Sequence, residues 1–221
     1  MARHTIGTAW LGEVRYDEAL ALQHRLRAAV LEGTHPGGLL LLTHPPTITI
    51  GRHGDAGNVT ASAALLAQAG CEVHRVERGG DVTWHGPGQL VGYPVVSLPA
   101  LGIGVRQLVA GLAEALRRAV APWGVEAAWD EAVPGLWVGR DKLAAFGVHV
   151  HRGVTTHGFA LNVSPDLGYA DLIVPCGLRE RGVTSLERLT GAAPDMAAVT
   201  LAVQTAFAET FEVDLVPERF E

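Results

Sequence analysis

Between two apolar runs, Cys71 to Glu77 and Pro94 to Leu98, lies the stretch RGGDVTWHGPGQLVGY, Arg78 to Tyr93. It sets what the rest of the chain can be. Gly79-Gly80 and Gly86-Pro87-Gly88 let the backbone take conformations that other residues resist, and they let another group come close to the main chain. Hairpin turns need only about two to five residues, so a long glycine-rich connection in a compact domain points to a binding site. The competing reading is a bulged hairpin in which His85 simply hydrogen-bonds to a neighbour.

Around this stretch, periodicity predicts strands beside strands, with helices between the groups. Thr5 to Trp10 reads as a strand, and Tyr16 to Leu31 as a helix with Asp17 and Glu18 in its first turn and Gly33 beyond its end. Gly38 to Thr43 and Thr47 to Ile50 read as paired strands about the His44-Pro45-Pro46 turn. Ala61 to Ala69 reads as a short helix capped by Ser62 or Thr60, Cys71 to Glu77 as a strand, and Val91 to Leu98 as another. Val105 to Ala121 has the strongest helical pattern, with Leu108, Val109, Leu112, Leu116 and Val120 on one face and Pro122 ending it.

Val125 to Ala128, Gly135 to Val138, Lys142 to Val150 and Thr155 to Val163 form a predicted antiparallel meander, turning near Gly139-Arg140-Asp141 and Arg152-Gly153. Pro165 to Arg181 reads as irregular, and Val199 to Glu209 as a closing helix. This is an α+β pattern: a mixed, largely antiparallel sheet with helices packed mainly on one face. No repeat, linker or break in composition divides the chain, so one domain is expected over all 221 residues.

Composition narrows the function. Hydrophobic residues make up 48% and charged residues 18%, which argues against disorder. No apolar run is long enough to cross a bilayer and the first residues lack a secretory pattern, so a cytoplasmic protein is expected. The net charge of −6 argues against a nucleic-acid surface. Ten histidines are present, yet no CxxC or HExxH spacing appears, and no Walker or GxGxxG loop, so neither a metal nor a nucleotide cofactor is expected.

Two cysteines remain as thiols in a reducing compartment. Cys71, inside a strand pattern, reads as a small buried hydrophobe. Cys176, in LIVPCGLRE, follows a proline and precedes a glycine, which places the thiol at a turn where it is either buried or presented to a pocket. Lys142 is the chain's one lysine, next to Asp141 and the apolar run LAAFGV. Arginine supplies solvation elsewhere, so a retained lysine is either a solvated hairpin residue or a group that must give up and regain a proton, which arginine does not do.

Together the two would form a thiol–amine pair. A free thiol is only about 3% thiolate at neutral pH. Lowering its pKa to about 6 raises that fraction about thirtyfold, while the falling intrinsic nucleophilicity takes back more than tenfold. Proton shuttling, positioning and oxyanion stabilisation must then supply the larger gains. His85 and His157, each followed by glycine at a strand edge, keep a Cys–His arrangement open.

The blocks RGGDVTWHGPGQLVGYP, KLAAFGVHVHRGVTTHGFALNV, and PCG followed by GVTSL resemble the lipoyl(octanoyl) transferases, also called lipoate-protein ligase B, in order and spacing from about Tyr16 to about Leu189. Trp84 stands where that family often has tyrosine, and Phe146 where it often has isoleucine or leucine. The resemblance implies the fold of the biotin and lipoate ligase catalytic domain. It implies transfer of an octanoyl group from octanoyl-acyl carrier protein to the target lysine of lipoyl domains, without a cofactor. By position, Cys176 would be the nucleophile and Lys142 its proton partner.

The implied substrate-lining residues are Arg78, Gly79, Gly80, Asp81, Val82, Thr83, Trp84 and His85, then Ala145, Phe146 and Gly147, and His157, Gly158, Phe159 and Ala160. An arginine-rich rim drawn from Arg52, Arg75, Arg179 and Arg181 would receive the acidic carrier. Two other readings stay open: an ATP-dependent lipoate or biotin ligase of the same fold, for which the thiol is superfluous, and, from another class, a non-catalytic acyl-binding or carrier-docking module.

Overall fold

The computed structural model describes residues 3–173 and 181–220. Cys176 and Arg179 lie outside the described residues. Twelve strands are described: β1 His4–Glu13, β2 Gly38–Thr43, β3 Thr47–Ile50, β4 Glu72–Arg75, β5 Val82–His85, β6 Gln89–Val95, β7 Ala128–Asp130, β8 Gly135–Val138, β9 Asp141–His151, β10 Val154–Asn162, β11 Gly182–Val183 and β12 Val213–Pro217. The α-helices among the described residues are α1 Tyr16–Glu32, α2 Ala63–Gln68, α3 Leu98–Leu101, α4 Val105–Val120, α5 Leu186–Thr190 and α6 Met196–Phe211.

The larger sheet runs β12-β1-β2-β6-β10-β9-β8-β7, with β11 beside β9. The pairs β1–β12, β1–β2 and β9–β11 are parallel and the others antiparallel, so the sheet is mixed and largely antiparallel as expected. Alternate residues of β2 show how it is buried on both faces. Leu39 and Leu41 join the core formed with Leu108, Leu112, Leu116 and Val120 of α4 and with Val199, Val203 and Phe207 of α6. Leu40 and Leu42 join Ala19, Leu22 and Leu26 of α1. One helix therefore covers the face opposite α4 and α6, because a central strand with an apolar side chain at every position needs partners on both sides.

The amphipathic helices form where their patterns predict. Ser62 caps α2 by accepting from Leu65 N at 3.2 Å. Gly33 ends α1 in the left-handed region at φ 73°. The four-strand meander is present, with Arg152 and Gly153 both at positive φ in the β9–β10 turn. Its first strand is Ala128–Asp130 rather than Val125 to Ala128, whose Val125 and Ala127 instead point into the core under α4.

Two expectations are corrected. β2 and β3 do not pair across His44-Pro45-Pro46. β3 leaves for a separate sheet ordered β4-β3-β5, in which β4 is parallel and β5 antiparallel to it. Consecutive prolines fix an extended exit and supply no N–H to a tight turn, so the chain crosses from one sheet to the other. The stretch Arg78 to Tyr93 is not one long connection either. It holds β5 of the small sheet and the start of β6 of the large one, joined through Gly86, Pro87 and Gly88. Its glycine-rich character marks a change of sheet, and the cleft opens at that change. No helix among the described residues is long and apolar enough to cross a membrane.

Candidate functional site

Two adjoining chambers lie where the small sheet meets β9 and β10. The outer one, about 90 Å³, has walls from Val82, Thr83 and Trp84 of the small sheet, from Lys142, Ala145 and Phe146 of β9, from Ala160 and Asn162 of β10, and from Ile173 and Val183. That is several times the ~10–15 Å³ needed by one water-sized group. The inner one, about 20 Å³, ends at Tyr16, His85, Tyr93 and His157. Arg78, Thr83, Ala145, Phe146 and Ala160 line both, so the two form one tapering channel.

Lys142 sits at the outer end with 8% of its surface exposed. Its Nζ lies 4.9 Å from the centre of the Trp137 ring, and the Arg181 guanidinium lies 4.6 Å from the same ring. Trp137 is held in turn, its indole N–H donating to Val133 O at 3.1 Å. Space for this stack depends on Gly135, where a Cβ would fall 2.8 Å from Trp137 Nε1 and 3.1 Å from Lys142 Cε. The backbone beside the amine is fixed as well: Val183 pairs with Lys142, and Thr184 N donates to Lys142 O at 3.0 Å.

Behind the channel runs a buried polar network. Arg78, 6% exposed, donates from Nε to Thr49 Oγ1 at 3.1 Å and from Nη2 to Thr49 O at 2.7 Å. The Gln89 amide donates to Trp84 O at 3.2 Å and to Asn162 Oδ1 at 3.0 Å, which leaves its Oε1 to accept from His85 Nδ1 at 2.8 Å. Asn162 Nδ2 donates to Thr184 O at 3.0 Å, so the network reaches the strand that flanks Lys142. His44 donates from Nδ1 to Val14 O at 2.7 Å, and its Nε2 accepts from Tyr93 OH at 2.7 Å.

Burial drives these imidazoles to the neutral form. His44 is lowered to about 4 and His157 to about 3, the latter helped by the Arg78 charge, and burial holds His85 well below its ordinary value. His85 is thus a neutral, hydrogen-bonded group that lines the inner chamber. His157 is bound through its backbone, with N donating to Gln23 Oε1 at 2.7 Å, and it sits at φ 58°.

The residues singled out in the sequence are placed as follows. Arg78, Gly80, Asp81, Val82, Thr83, Trp84, Ala145, Phe146 and Ala160 line the outer chamber, and His85, Gly147, His157, Gly158 and Phe159 the inner. Gly79 lines neither, and its N–H donates to Val148 O at 3.0 Å. Asp81 is occupied with structure, accepting from Asp55 N at 3.0 Å and Asn58 Nδ2 at 2.6 Å to hold the 51–58 loop. A Cβ on Gly158 would fall 2.2 Å from Gly92 O and one on Gly147 2.9 Å from Gly79 O, so these glycines serve close packing of the protein's own backbone. Of the arginines expected on the rim, Arg181 is paired with Asp130 at 2.9 Å and Arg52 contacts His149 at 3.4 Å.

Sequence reasoning passed over Gln89, Asn162, Tyr16, Tyr93 and Gly135. The signal for two of them was present: an amide at either end of an otherwise apolar strand, GQLV and ALNV, is a polar group that must find a buried partner.

Comparison with known proteins gives this geometry a family. The chain is 45% identical over 219 residues to an octanoyltransferase of Myxococcus xanthus, covering 96% of this chain and 61% of that protein. It is 47% identical over 208 residues to an octanoyltransferase of Caldicellulosiruptor bescii, covering 93% of this chain and 91% of the relative. The fold is shared with a bi-partite lipoate protein ligase of Thermoplasma acidophilum, at TM-score 0.76, 18% identity and coverage of 97% and 87%. It is also shared with the biotin protein ligase of Aquifex aeolicus, at TM-score 0.56, 15% identity and coverage of 94% and 69%. The model of the lipoyl protein ligase A/B catalytic domain matches residues 15–208, and the chain belongs to that family, among its octanoyltransferases.

Proposed function

We propose that this chain, acting as one catalytic unit over residues 1–221, transfers an octanoyl group from the phosphopantetheine thioester of acyl carrier protein to the target lysine of lipoyl domains, through a thioester on Cys176. The observation that carries the reading is the place of Lys142: the chain's one lysine is buried in the wall of a largely apolar channel. Ile173 lines the same chamber, and Val183 pairs with Lys142. In the sequence Cys176 stands three positions after Ile173, at most roughly 11 Å of extended chain, which supports the reading.

The steps balance without an external energy source. Lys142 accepts the Cys176 proton, the thiolate adds to the octanoyl carbonyl, and the pantetheine thiolate leaves with a proton returned from Lys142. The neutral amine of the lipoyl-domain lysine then attacks the enzyme thioester. Lys142 takes up the proton released, Cys176 leaves as thiolate, and the amide is formed. Exchange between thioesters is nearly balanced and conversion to an amide runs downhill, so no nucleotide is needed. Along the channel, burial of methylenes at about 0.8 kcal/mol each holds the carbonyl in place for attack. The cytosol, where thiols stay reduced, is the compartment this chemistry suits.

Intact-mass measurement after incubation with octanoyl-acyl carrier protein tests the reading. The expected result is a gain of one octanoyl unit, discharged by a lipoyl domain and absent in Cys176→Ser. An ATP-dependent ligase would keep its activity in Cys176→Ser, and a binding module would gain no covalent mass; either result overturns the proposal.

A further inference from the structure

The channel is floored by small residues and closed by large polar ones. Ala145 lies opposite Ala160 and Gly147 opposite Gly158 on β9 and β10; the alanines line both chambers and the glycines the inner one. The channel narrows from about 90 Å³ to about 20 Å³ and stops at Tyr16, His85, Tyr93 and His157.

These four are fixed in place. Tyr93 is tied to His44 at 2.7 Å, His85 to Gln89 at 2.8 Å, and the His157 backbone to Gln23 at 2.7 Å. Tyr16 OH lies 3.4 Å from His157 Nδ1, and the Tyr16 ring stacks on that of His85 with centres 6.3 Å apart. His157 also holds a left-handed backbone at φ 58°, a conformation few side chains adopt and one that gathers at ligand clamps.

We propose that this wall, with His157 at its centre and Tyr16 beside it, is the end-stop that sets acyl length in the channel. The inference rests on the acyl-transfer reading above and adds the element that selects the substrate. A chain that just reaches the wall buries all its methylenes. A longer one meets ring edges held from behind, and it must displace bonded polar groups while offering them no hydrogen bond in return. Selection thus comes from the penalty on the longer chain as much as from the fit of the right one.

The test compares kcat/KM for octanoyl- and decanoyl-acyl carrier protein in the native enzyme, His157→Gly and Tyr16→Leu. Glycine accepts the left-handed backbone without strain, so His157→Gly removes the ring and keeps the fold. Tyr16→Leu shortens the wall from the helix side with an apolar residue, and thermal melting checks both proteins. The expected result is a rise of at least tenfold in the decanoyl-to-octanoyl ratio in either variant. A ratio within twofold of native in both folded variants overturns the end-stop. Failure of the native enzyme to transfer octanoyl would instead overturn the underlying function, so the two failures are told apart.

Discussion

Lys142 is placed by its neighbours as much as by its own strand. Gly135 leaves room for its Cε, Trp137 offers its ring face, and Thr184 holds its carbonyl. Gly135→Ala would put a methyl group 3.1 Å from Lys142 Cε and shift the amine by a few tenths of an ångström. Misplacement by about 1 Å can cost 10²-fold in rate. Gly135→Ala is therefore expected to lower kcat about tenfold with KM little changed, measured by steady-state transfer to a lipoyl domain. Lys142→Arg keeps the charge and abolishes exchange of the proton; transfer should fall at least 10²-fold. The sequence showed that Lys142 was singular. It did not show why the amine stays put, since Gly135 and Trp137 act through a hairpin geometry that only folding creates.

At the level of elements, local signals were read well and distant ones poorly. α1, α4 and the β7–β10 meander declare themselves through periodicity and turn residues within a few positions of each other. β3 declares itself as a strand but not its partners, because a short run such as TITI pairs equally well with any free edge, and β4 and β5 lie beyond an intervening loop and helix. The terminal strand β12 is a short VDLVP segment without clear alternation, and β11 has two residues; each forms because a neighbour offers an edge. The corner between β6 and α3 rests on one buried hydroxyl: Thr155 Oγ1 accepts from Val96 N at 3.0 Å and donates to Pro94 O at 2.6 Å. Thr155→Val leaves both backbone groups without this partner. A loss of about 1–3 kcal/mol is expected, seen as a lower denaturation midpoint with unchanged slope.

Across the whole molecule, the buried imidazoles tie stability to pH. His44 at about 4 and His157 at about 3, with His85 also lowered, stay neutral in the fold but take up protons near pH 6.5 when unfolded. The unfolded chain then binds more protons, so stability is full above about pH 6.5 and is lost as pH falls toward 4. Each group contributes a slope of about 1.4 kcal/mol per pH unit within that window. Calorimetric Tm is expected to be flat between pH 7 and 8 and to drop steeply from about pH 6 to 4.5; a flat Tm down to pH 5 would mean these histidines are protonated in the fold. The same network lines the inner chamber, through His85, Tyr93 and His157. None of it is adjacent in sequence, and His44 and Tyr93 meet only when β2 and β6 pair.

The central claim is that the buried amine and the thiol of Cys176 act as one unit, and the thiol's own titration tests it most directly. The rate of Cys176 alkylation by iodoacetamide should be followed against pH, with mass mapping to separate it from Cys71, which burial keeps protonated to higher pH. The native enzyme should show a thiol pKa at least one unit below the usual value of about 8.5, rising toward that value in Lys142→Met. The same pKa in both proteins would contradict the account.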